Sequence, residues 1–335
     1  MSHPADRRRI VHWAKNRGHE ILLDLNLKHD VLFLSGRADF SILEKRKVNN
    51  PVILDLVDGY LGKEHFWKDW LRGAGKMVTG QNTGVLRPYR KIVSDACERV
   101  QAVVCETVEQ RETIIPFCKN SHKILDFHEE FPILPFNAKP TSKYFPSLLW
   151  EGLPFTAKGL LQLRHALLEI MKSNPVSLEV VSDLEYPLFL GKYRYCPTQK
   201  ILEDIPEILG DKFRLTKWNI NSVVTAAGSS HMAVLPLDPK GTLNPLKAEN
   251  RLLMMWRVGL PALTSPSLAY SRVMRDAKVE GICNSADQWL VKIMELAYSA
   301  ELRGESVEKG QQYIRETHSE EILLKAWDNL FESVL

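Results

Sequence analysis

The chain has 335 residues, of which 25% are charged and 44% are hydrophobic. This length is typical of two domains rather than one core, and the composition excludes a disordered or fibrous protein. The net charge is only +3, but residues 1–145 hold 23 Lys and Arg against 18 Asp and Glu, a net +5, so the remaining residues carry a net −2. A mildly basic first half favours an anionic substrate or a membrane surface over a nucleic acid, which usually meets a denser basic face.

Five cysteines, none of them in a C-x-x-C pair, indicate reduced thiols of a cytoplasmic protein and neither a zinc site nor a disulfide framework. No apolar run approaches the roughly 18 residues of a membrane-spanning helix, and the first residues lack the apolar stretch of a signal peptide. We therefore expect a cytoplasmic protein that at most contacts a membrane at its surface.

Short apolar runs alternate along the chain with amphipathic segments of helical length. The predicted strands are Glu20–Asp24, Val31–Leu34, Val52–Leu56, Ala102–Cys105, Lys123–Leu125, Ser147–Trp150, Leu178–Val181, Phe213–Leu215, Met232–Leu235 and Pro261–Leu263. These runs are nearly continuous in apolar residues, which is typical of a parallel sheet covered by helices on both faces. The predicted helices include Arg7–Arg17, Gly159–Lys172, Thr198–Leu209 (broken or kinked at Pro206), Asp287–Tyr298 and Ser319–Leu335. The alternation predicts an α/β fold of doubly wound sheets.

Three prolines in Phe131–Phe145 predict a stiff connection between two Rossmann-like domains that face each other across a cleft. We predict an N-terminal domain over residues 1–138, a C-terminal domain over 139–318, and a final helix over 319–335 that crosses back to the first domain. A doubly wound domain normally opens with a strand, whereas this chain begins at what resembles the following turn. The first domain is therefore expected to lack its first strand, either because no such strand is encoded or because this sequence starts after it. The resulting free edge would allow a homodimer.

A candidate anion site lies in the segment from Met232 to Pro266. Asn244 and Pro245 predict the start of a helix there, since Asn is a good N-cap and Pro suits the first helical position. Lys247 and Arg251 would then share one face of its first two turns, where cations oppose the helix dipole unless an anion binds between them. A phosphate or diphosphate would satisfy both; the alternative is that Glu249 neutralises a solvated helix end.

A second candidate follows the predicted strand Ser147–Trp150. Its glycine turn at Gly152 is followed by Lys158 and Gly159, which place another cation beside a helix N-terminus. Both loops follow strands of one sheet, at the carboxyl edge where such folds bind ligands. The alternative is an ordinary capped helix.

Several segments resemble the GT-B glycosyltransferases. W-E-G-(x5)-K-G-L at residues 150–160, and V-L-P-L followed by K-x-x-N-R-L-L-x-x-W-x-x-G-L-P-A-L at 234–263, resemble the C-terminal half of that fold, and more narrowly the retaining, family-four-like bacterial enzymes. In the first half, R-G-H-E-I, D-V-L-F-L-S, V-I-L-D-L-V-D-G-Y and V-V-C-E-T fit the corresponding strands and turns.

The resemblance implies transfer of a sugar from a nucleotide-sugar substrate, UDP- or GDP-linked, to a glycan or lipid-linked acceptor in polysaccharide or glycoconjugate assembly. It implies a retaining enzyme without a metal, in which fixed cations stabilise the leaving diphosphate. The second domain would hold the donor, with the residues Gly152, Lys158, Lys247, Asn250 and Arg251 around the diphosphate.

Two further residues have a functional and a structural interpretation. Trp218 follows the strand Phe213–Leu215 and would stack on the nucleobase or else pack in the core. Asp58, after the strand Val52–Leu56, would orient the acceptor or act as a base, or else cap a turn; Asp39 and Glu106 also follow strands of the first domain.

The sequence also departs from the family. Leu246 and Met254 occupy the positions where many relatives carry two glutamates eight residues apart, and Leu153 stands where an arginine is common. A non-catalytic sugar-nucleotide-binding or scaffold subunit, and a sugar-nucleotide epimerase of the same fold, are therefore the alternatives. Lastly, Tyr60–Leu86 mixes aromatic and basic residues, which suggests either a membrane-facing or lipid-binding surface or ordinary core packing.

Overall fold

The computed structural model describes residues 4–24, 26–36, 38–45, 49–63, 65–188, 194–241 and 243–335. The chain divides into two compact units. The first consists of residues 1–128, 245–248 and 318–335, and the second of residues 129–244 and 249–317.

The first unit contains a parallel sheet of four strands in the order β1-β2-β3-β4: β1 (Leu32–Leu34), β2 (Val52–Leu56), β3 (Ala102–Cys105) and β4 (Ser121–Lys123). Every residue of β2 and β3 is buried, as their continuous apolar sequence predicts. No strand precedes Leu32 in the part of the chain that the structure describes, so β1 is an edge strand. The predicted strand Glu20–Asp24 is wrong, because its described residues pair with no other strand, and β4 begins two residues earlier than predicted.

Helices of the first unit are α1 (Pro4–Arg7), α2 (Ile10–Arg17), α3 (Ile42–Lys45), α4 (Phe66–Val78), α5 (Tyr89–Arg99) and α6 (Val108–Ile114). The single helix predicted over Arg7–Arg17 is interrupted between α1 and α2. Arg9 lies at the break with a non-helical backbone, and its guanidinium is fully buried against Asp55. Gly18 ends α2 in the left-handed conformation, φ 71°, which glycine adopts without strain.

The second unit contains a parallel sheet of five strands in the order β11-β10-β5-β6-β9. Its strands are β5 (Ser147–Glu151), β6 (Ser177–Ser182), β9 (Phe213–Lys217), β10 (Met232–Leu235) and β11 (Ala262–Thr264). A separate antiparallel pair, β7 (Glu185–Leu188) with β8 (Arg194–Pro197), was not predicted. Described residues of this pair are mostly exposed, so it lacks the apolar signal of a core strand.

Helices of the second unit are α7 (Arg164–Met171), α8 (Ile205–Leu209), α9 (Ile220–Ser229), α10 (Asn250–Arg257), α11 (Leu268–Asp276), α12 (Ala286–Tyr298) and α13 (Ala300–Thr317), with 3-10 turns at Pro154–Leu163, Thr198–Leu202 and Gly210–Lys212. The predicted helix Gly159–Lys172 therefore starts as a 3-10 helix. The predicted helix Thr198–Leu209 breaks at Glu203, whose φ of 51° is non-helical, while Pro206 lies in the first turn of α8, where the missing N–H costs nothing.

The core of the second unit fills one face of the sheet between β5, β6 and β10 and the helices α7 and α12. Trp150, Val180 and Val234 of the strands, with Leu167 of α7 and Trp289 of α12, are almost fully buried there. On α13, a Cβ at Gly310 would come within 2.2 Å of the Trp256 ring, so glycine allows α13 to lie against α10. That contact fixes the helix that begins at Asn250.

A final helix, α14 (Glu320–Glu332), belongs to the first unit. The Trp13 Nε1 donates to Asp328 at 2.8 Å, and the Trp13 ring stacks on Phe331 with centroids 4.1 Å apart. Trp327 is fully buried. Among the described residues, no helix combines the length and apolar character needed to span a bilayer.

Candidate functional site

Three strand ends meet at the carboxyl edge of the second sheet. The Gly152 N–H after β5 donates to the Val181 carbonyl at 3.3 Å, and the Ser182 hydroxyl donates to the Gly152 carbonyl at 2.7 Å. The Trp218 N–H after β9 donates to the Ser182 carbonyl at 2.9 Å. Ligands of open α/β sheets bind at this edge.

Arg251 lies in the first turn of α10 and reaches the end of β5. Its Nη1 donates to the Glu151 carbonyl at 3.1 Å, and its Cζ lies 5.8 Å from the centroid of the Trp150 ring. A Cβ at Gly152 would come within 2.9 Å of Nη1, so the glycine leaves room for the guanidinium. The Nη2 is buried and has no hydrogen-bond partner among the described residues.

This arrangement favours an anion. The positive end of the helix dipole lies at the N-terminus of α10 and opposes a cation. Arg251 adds a positive charge there and leaves one buried donor open. A phosphate oxygen at this point would accept a hydrogen bond from Nη2. Its negative charge would also interact favourably with the positive end of the helix dipole.

Lys158 lies in the 3-10 helix Pro154–Leu163, where it is exposed and forms no ion pair with a described residue. This helix lies against the loop that follows β10. A Cβ at Gly159 would come within 2.4 Å of the Pro236 carbonyl oxygen, and the Gln162 amide donates to the Leu237 carbonyl. Lys158 is therefore held at the carboxyl edge of the strand pair β5 and β10.

Trp218 is half-buried, and its Nε1 donates to Glu151 Oε1 at 2.8 Å. Glu151 thus contacts the indole through its side chain and Arg251 through its carbonyl. We did not single it out in the sequence, although it is the middle residue of the W-E-G element. Asn250 is the first residue of α10 and is half-buried.

The predicted start of the α10 helix is wrong. Residues 244–246 form a 3-10 turn, and α10 begins at Asn250, so Lys247 and Arg251 do not share one helical face. The Asn244 amide donates to the Asp238 carbonyl at 2.6 Å instead of capping a helix. Glu249 takes the N-cap position, is fully buried, and pairs with Arg272 of α11 at 3.1 Å rather than with Lys247 or Arg251.

Lys247 belongs to the first unit, where it faces Asp58 with Nζ and Oδ1 3.6 Å apart. The Tyr60 hydroxyl donates to the other oxygen of Asp58 at 3.3 Å. Leu246 packs so closely that a Cβ at Gly59 would lie 2.5 Å from its side chain. The Gln110 amide donates to the Leu246 carbonyl at 3.0 Å.

A buried charged cluster lies at the carboxyl ends of β2 and β3, and it was missed in the sequence. Arg9 binds Asp55 through Nε at 2.8 Å and Nη2 at 2.7 Å, and its Nη1 lies 3.4 Å from Asp126 and 3.9 Å from Glu106. Burial, with the neighbouring Asp126, raises the pKa of Glu106 well above its usual range, and burial raises the pKa of Asp126 as well. With one arginine among three buried carboxyls, the raised pKa values of Glu106 and Asp126 favour their protonated forms.

Asp39 has a structural role. Its Oδ1 accepts from the Ser41 N–H at 2.9 Å, and its Oδ2 accepts from the Thr83 hydroxyl at 2.5 Å. Burial alone would raise the pKa of Asp39, but the hydrogen bonds from Thr83 and Ser41 outweigh it and lower that pKa. These bonds occupy both oxygens, so Asp39 is a turn residue.

Two further observations bear on the site. Among the described residues, no group of three or more His, Cys, Asp or Glu could hold a metal ion. At the positions of the missing glutamates, Met254 is buried on α10 and Leu246 is buried against Gly59 and Gly62.

No protein-family model and no curated protein matches this sequence. Solved structures do match. TarM has a TM-score of 0.63 at 16% identity, covering 90% of this chain and 54% of its own. A mutant of S. aureus TarM, in complex with Fondaparinux, alpha-GlcNAc-glycerol and UDP, has a TM-score of 0.59 at 16% identity over 84% of this chain and 51% of its own. Sucrose-phosphate synthase from Thermosynechococcus elongatus has a TM-score of 0.63 at 12% identity over 96% and 75%.

These similarities establish the fold. The chain has the GT-B fold, with two Rossmann-like sheets, as the sequence predicts. It spans about half the length of the TarM chains that it matches.

Proposed function

We propose that this protein is a glycosyltransferase that moves a sugar from a nucleotide sugar to a glycan or lipid-linked acceptor. The observation that carries the proposal is Arg251, whose buried Nη2 is without a hydrogen-bond partner among the described residues at the N-terminus of α10. A diphosphate is the anion that suits this position in a fold shared with sugar-transferring enzymes. The S. aureus TarM complex contains UDP, which supports the same ligand class here.

In the proposed step, the bond between the anomeric carbon and the diphosphate oxygen breaks, and its electron pair stays on the diphosphate. The acceptor hydroxyl oxygen forms the new bond to the anomeric carbon and passes its proton to an oxygen of the departing diphosphate. The charge that grows on the leaving diphosphate is stabilised by Arg251, by Lys158 and by the dipole of α10. Trp218 supplies a flat surface for the nucleobase.

In this proposal the first unit holds the acceptor. Asp58 and Lys247, with Nζ and Oδ1 3.6 Å apart, present a carboxylate and an ammonium beside the end of β2. Such a pair suits a polyhydroxylated acceptor, because each hydroxyl can donate to the carboxylate or accept from the ammonium. We also propose retention of the anomeric configuration and independence from a metal, as the sequence resemblance implies.

The test is a panel of UDP- and GDP-sugars incubated with the full chain, with and without EDTA. Slow release of nucleoside diphosphate, unchanged by the chelator, would support the transferase and its metal independence. Release that EDTA abolishes and magnesium or manganese restores would contradict the metal-free site. NMR of the released sugar at early times would report its anomeric configuration.

One observation favours a second candidate, a non-catalytic subunit that binds sugar nucleotides. Apolar residues, Leu246 and Met254, stand where many GT-B enzymes carry glutamates, and both are buried in packing contacts. Such a subunit would bind a nucleotide sugar without releasing the diphosphate, even when candidate acceptors are added. If no nucleotide sugar in the panel binds to the protein, both candidates are overturned.

A further inference from the structure

The helix α4 (Phe66–Val78) is amphipathic in the reverse of the usual sense. At 100° per residue, its apolar side chains occupy one continuous face made of residues 66, 67, 70, 71, 74, 77 and 78. Soluble proteins normally turn such a face toward the core. Here Phe66, Trp67, Leu71 and Val78 are exposed by 60%, 76%, 71% and 66%, and Met77 is exposed as well.

The polar face of α4 is the one that packs on the first unit. Asp69 and Gly73 are its buried residues, and a Cβ at Gly73 would come within 2.1 Å of the Arg87 carbonyl oxygen. The Arg72 guanidinium lies 5.7 Å from the Tyr60 ring, and the Lys76 ammonium lies 5.2 Å from the Tyr89 ring. These contacts set the rotation of the helix, so the outward apolar face is fixed by specific packing.

Exposed lysines accompany this face. Residues 61–91 include seven Lys and Arg and two acidic residues, Glu64 and Asp69. Of the seven cations, Arg87 and Lys91 pair with Asp95, and Arg72 and Lys76 lie on the packed polar face. Asp69 is buried, whereas Lys63 and Lys68 are exposed, and Val85 and Leu86 of the same segment are exposed as well. Aromatic and aliphatic side chains bordered by lysines match the layered chemistry of a membrane surface, where acyl chains lie beneath anionic phosphates.

We propose that α4 docks the first unit on an anionic lipid surface. Trp67, Leu71 and Val78 enter the boundary between headgroups and acyl chains, and Lys63 and Lys68 contact lipid phosphates. A second copy of the chain is the less suitable occupant, because interface cores are depleted in lysine. This inference goes beyond the proposed function and is tested without any sugar transfer.

The experiment is co-sedimentation of the full chain with phosphatidylcholine vesicles that contain or lack phosphatidylglycerol. We expect binding that increases with phosphatidylglycerol and decreases in high salt, which screens the lysine contribution. The double variant Trp67→Ser, Leu71→Ser should lose about tenfold or more in vesicle affinity, because two exposed apolar side chains no longer enter the lipid. Since both side chains are exposed, the variant should keep the circular dichroism spectrum and melting temperature of the wild type.

The matched control is the double variant Val291→Ser, Leu268→Ser, whose side chains are exposed by 53% and 55% on the second unit. It should bind vesicles like the wild type. Equal loss in both double variants, retention of binding by Trp67→Ser, Leu71→Ser, or failure of the wild type to bind anionic vesicles would each overturn the proposal. Sedimentation velocity tests the alternative occupant. If the wild type is a dimer that does not bind vesicles, and the double variant Trp67→Ser, Leu71→Ser is a monomer, the face binds a second copy of the chain instead.

Discussion

The guanidinium of Arg251 is satisfied on one side only. Its Nη1 is bound to the Glu151 carbonyl and its Cζ faces the Trp150 ring, while Nη2 is buried without a partner among the described residues. A buried charged donor without a partner costs about 1–3 kcal/mol or more. A bound phosphate oxygen would recover that free energy, so the open donor is better suited to binding than to stability.

A substitution at Trp218 tests whether the nucleobase binds against its ring. Replacing it with Leu removes the ring and its hydrogen bond to Glu151. We expect UDP and GDP binding to weaken by about 1–3 kcal/mol, the usual contribution of base stacking, while inorganic diphosphate binds as before. Calorimetry with the three ligands measures the difference, and Trp67→Leu, at an exposed tryptophan of the first unit, is the control. A loss equal for nucleotide and diphosphate would mean that Trp218 acts through the diphosphate site and not on the base.

His231 makes the stability of the protein depend on pH. Its Nδ1 lies 3.2 Å from the Ser147 N–H nitrogen and 2.7 Å from the Ser147 hydroxyl, so the neutral ring accepts there. Burial, with a smaller effect of the Arg303 charge, lowers the pKa of His231 to about 4. The unfolded residue titrates near 6.5, so the unfolded state takes up a proton at a higher pH than the folded state. The contribution of neutral His231 to the free energy of unfolding is therefore fully present above pH 6.5 and is lost as the pH falls toward 4.

The matched variant is His231→Asn, whose Oδ1 can take the place of Nδ1. Between pH 7.5 and pH 4 the wild type should lose up to about 3 kcal/mol more stability than the variant. Urea unfolding of both proteins across that range measures the difference. If the free energy of unfolding depends on pH in the same way in both proteins, the imidazole is protonated as easily in the folded state as in the unfolded state.

At the level of elements, the sequence predicted best where local pattern and burial agree. Strands β2, β3, β5 and β10 are continuous apolar runs, and each forms within a residue of its predicted bounds. The start of α10 could not be predicted in this way. The Asn244 side chain, which was predicted to cap a helix, instead donates a hydrogen bond to the Asp238 carbonyl. That contact depends on the folded loop and not on local propensity.

Two glycines test how the loops at the carboxyl edge are held. A Cβ at Gly159 would meet the Pro236 carbonyl oxygen at 2.4 Å, whereas a Cβ at Gly228 in α9 meets nothing within 4 Å. Gly159→Ala should therefore lower stability by about 1–3 kcal/mol, and Gly228→Ala should raise it by about 0.5–1 kcal/mol through helix propensity. Thermal unfolding of both variants shows whether each substitution raises or lowers the stability. A neutral Gly159→Ala would mean that the 3-10 helix carrying Lys158 is free to shift.

At the level of the whole molecule, the first unit is assembled from distant parts of the sequence. Its buried cluster joins Arg9 to Asp55 and Asp126, 46 and 117 residues further on, and α14 adds residues from the end of the chain. Pattern reasoning therefore found the individual strand ends, including Glu106, but not the arginine that lies among them. The candidate site of the second unit also joins distant segments, since Arg251 and Glu151 are 100 residues apart. There, however, the sequence had already singled out both loops, and the binding roles of Gly152, Lys158 and Arg251 stay predictions.

The dependence of the first unit on α14 can be measured at Trp327, which is fully buried and packs against Phe33 with ring centroids 5.9 Å apart. Trp327→Ala should destabilise this unit by about 3–5 kcal/mol, the usual effect of removing a large core side chain. Calorimetric unfolding should then separate into two transitions. Leu335→Ala, at a side chain exposed by 78%, is the control, and a wild-type melting profile for Trp327→Ala would contradict the role of α14.

We propose that the second unit binds a nucleoside diphosphate through Arg251. The most direct test of this claim is calorimetric titration of UDP and GDP into the wild type, Arg251→Ala and Arg275→Ala; Arg275 is an exposed arginine of α11 that pairs with Asp276. We predict that the wild type binds at least one nucleotide, that Arg275→Ala binds it equally well, and that Arg251→Ala loses about 1.5–3 kcal/mol, the range of a hydrogen bond to a charged group. Unchanged affinity in Arg251→Ala, or a wild type that binds neither nucleotide, would contradict the claim.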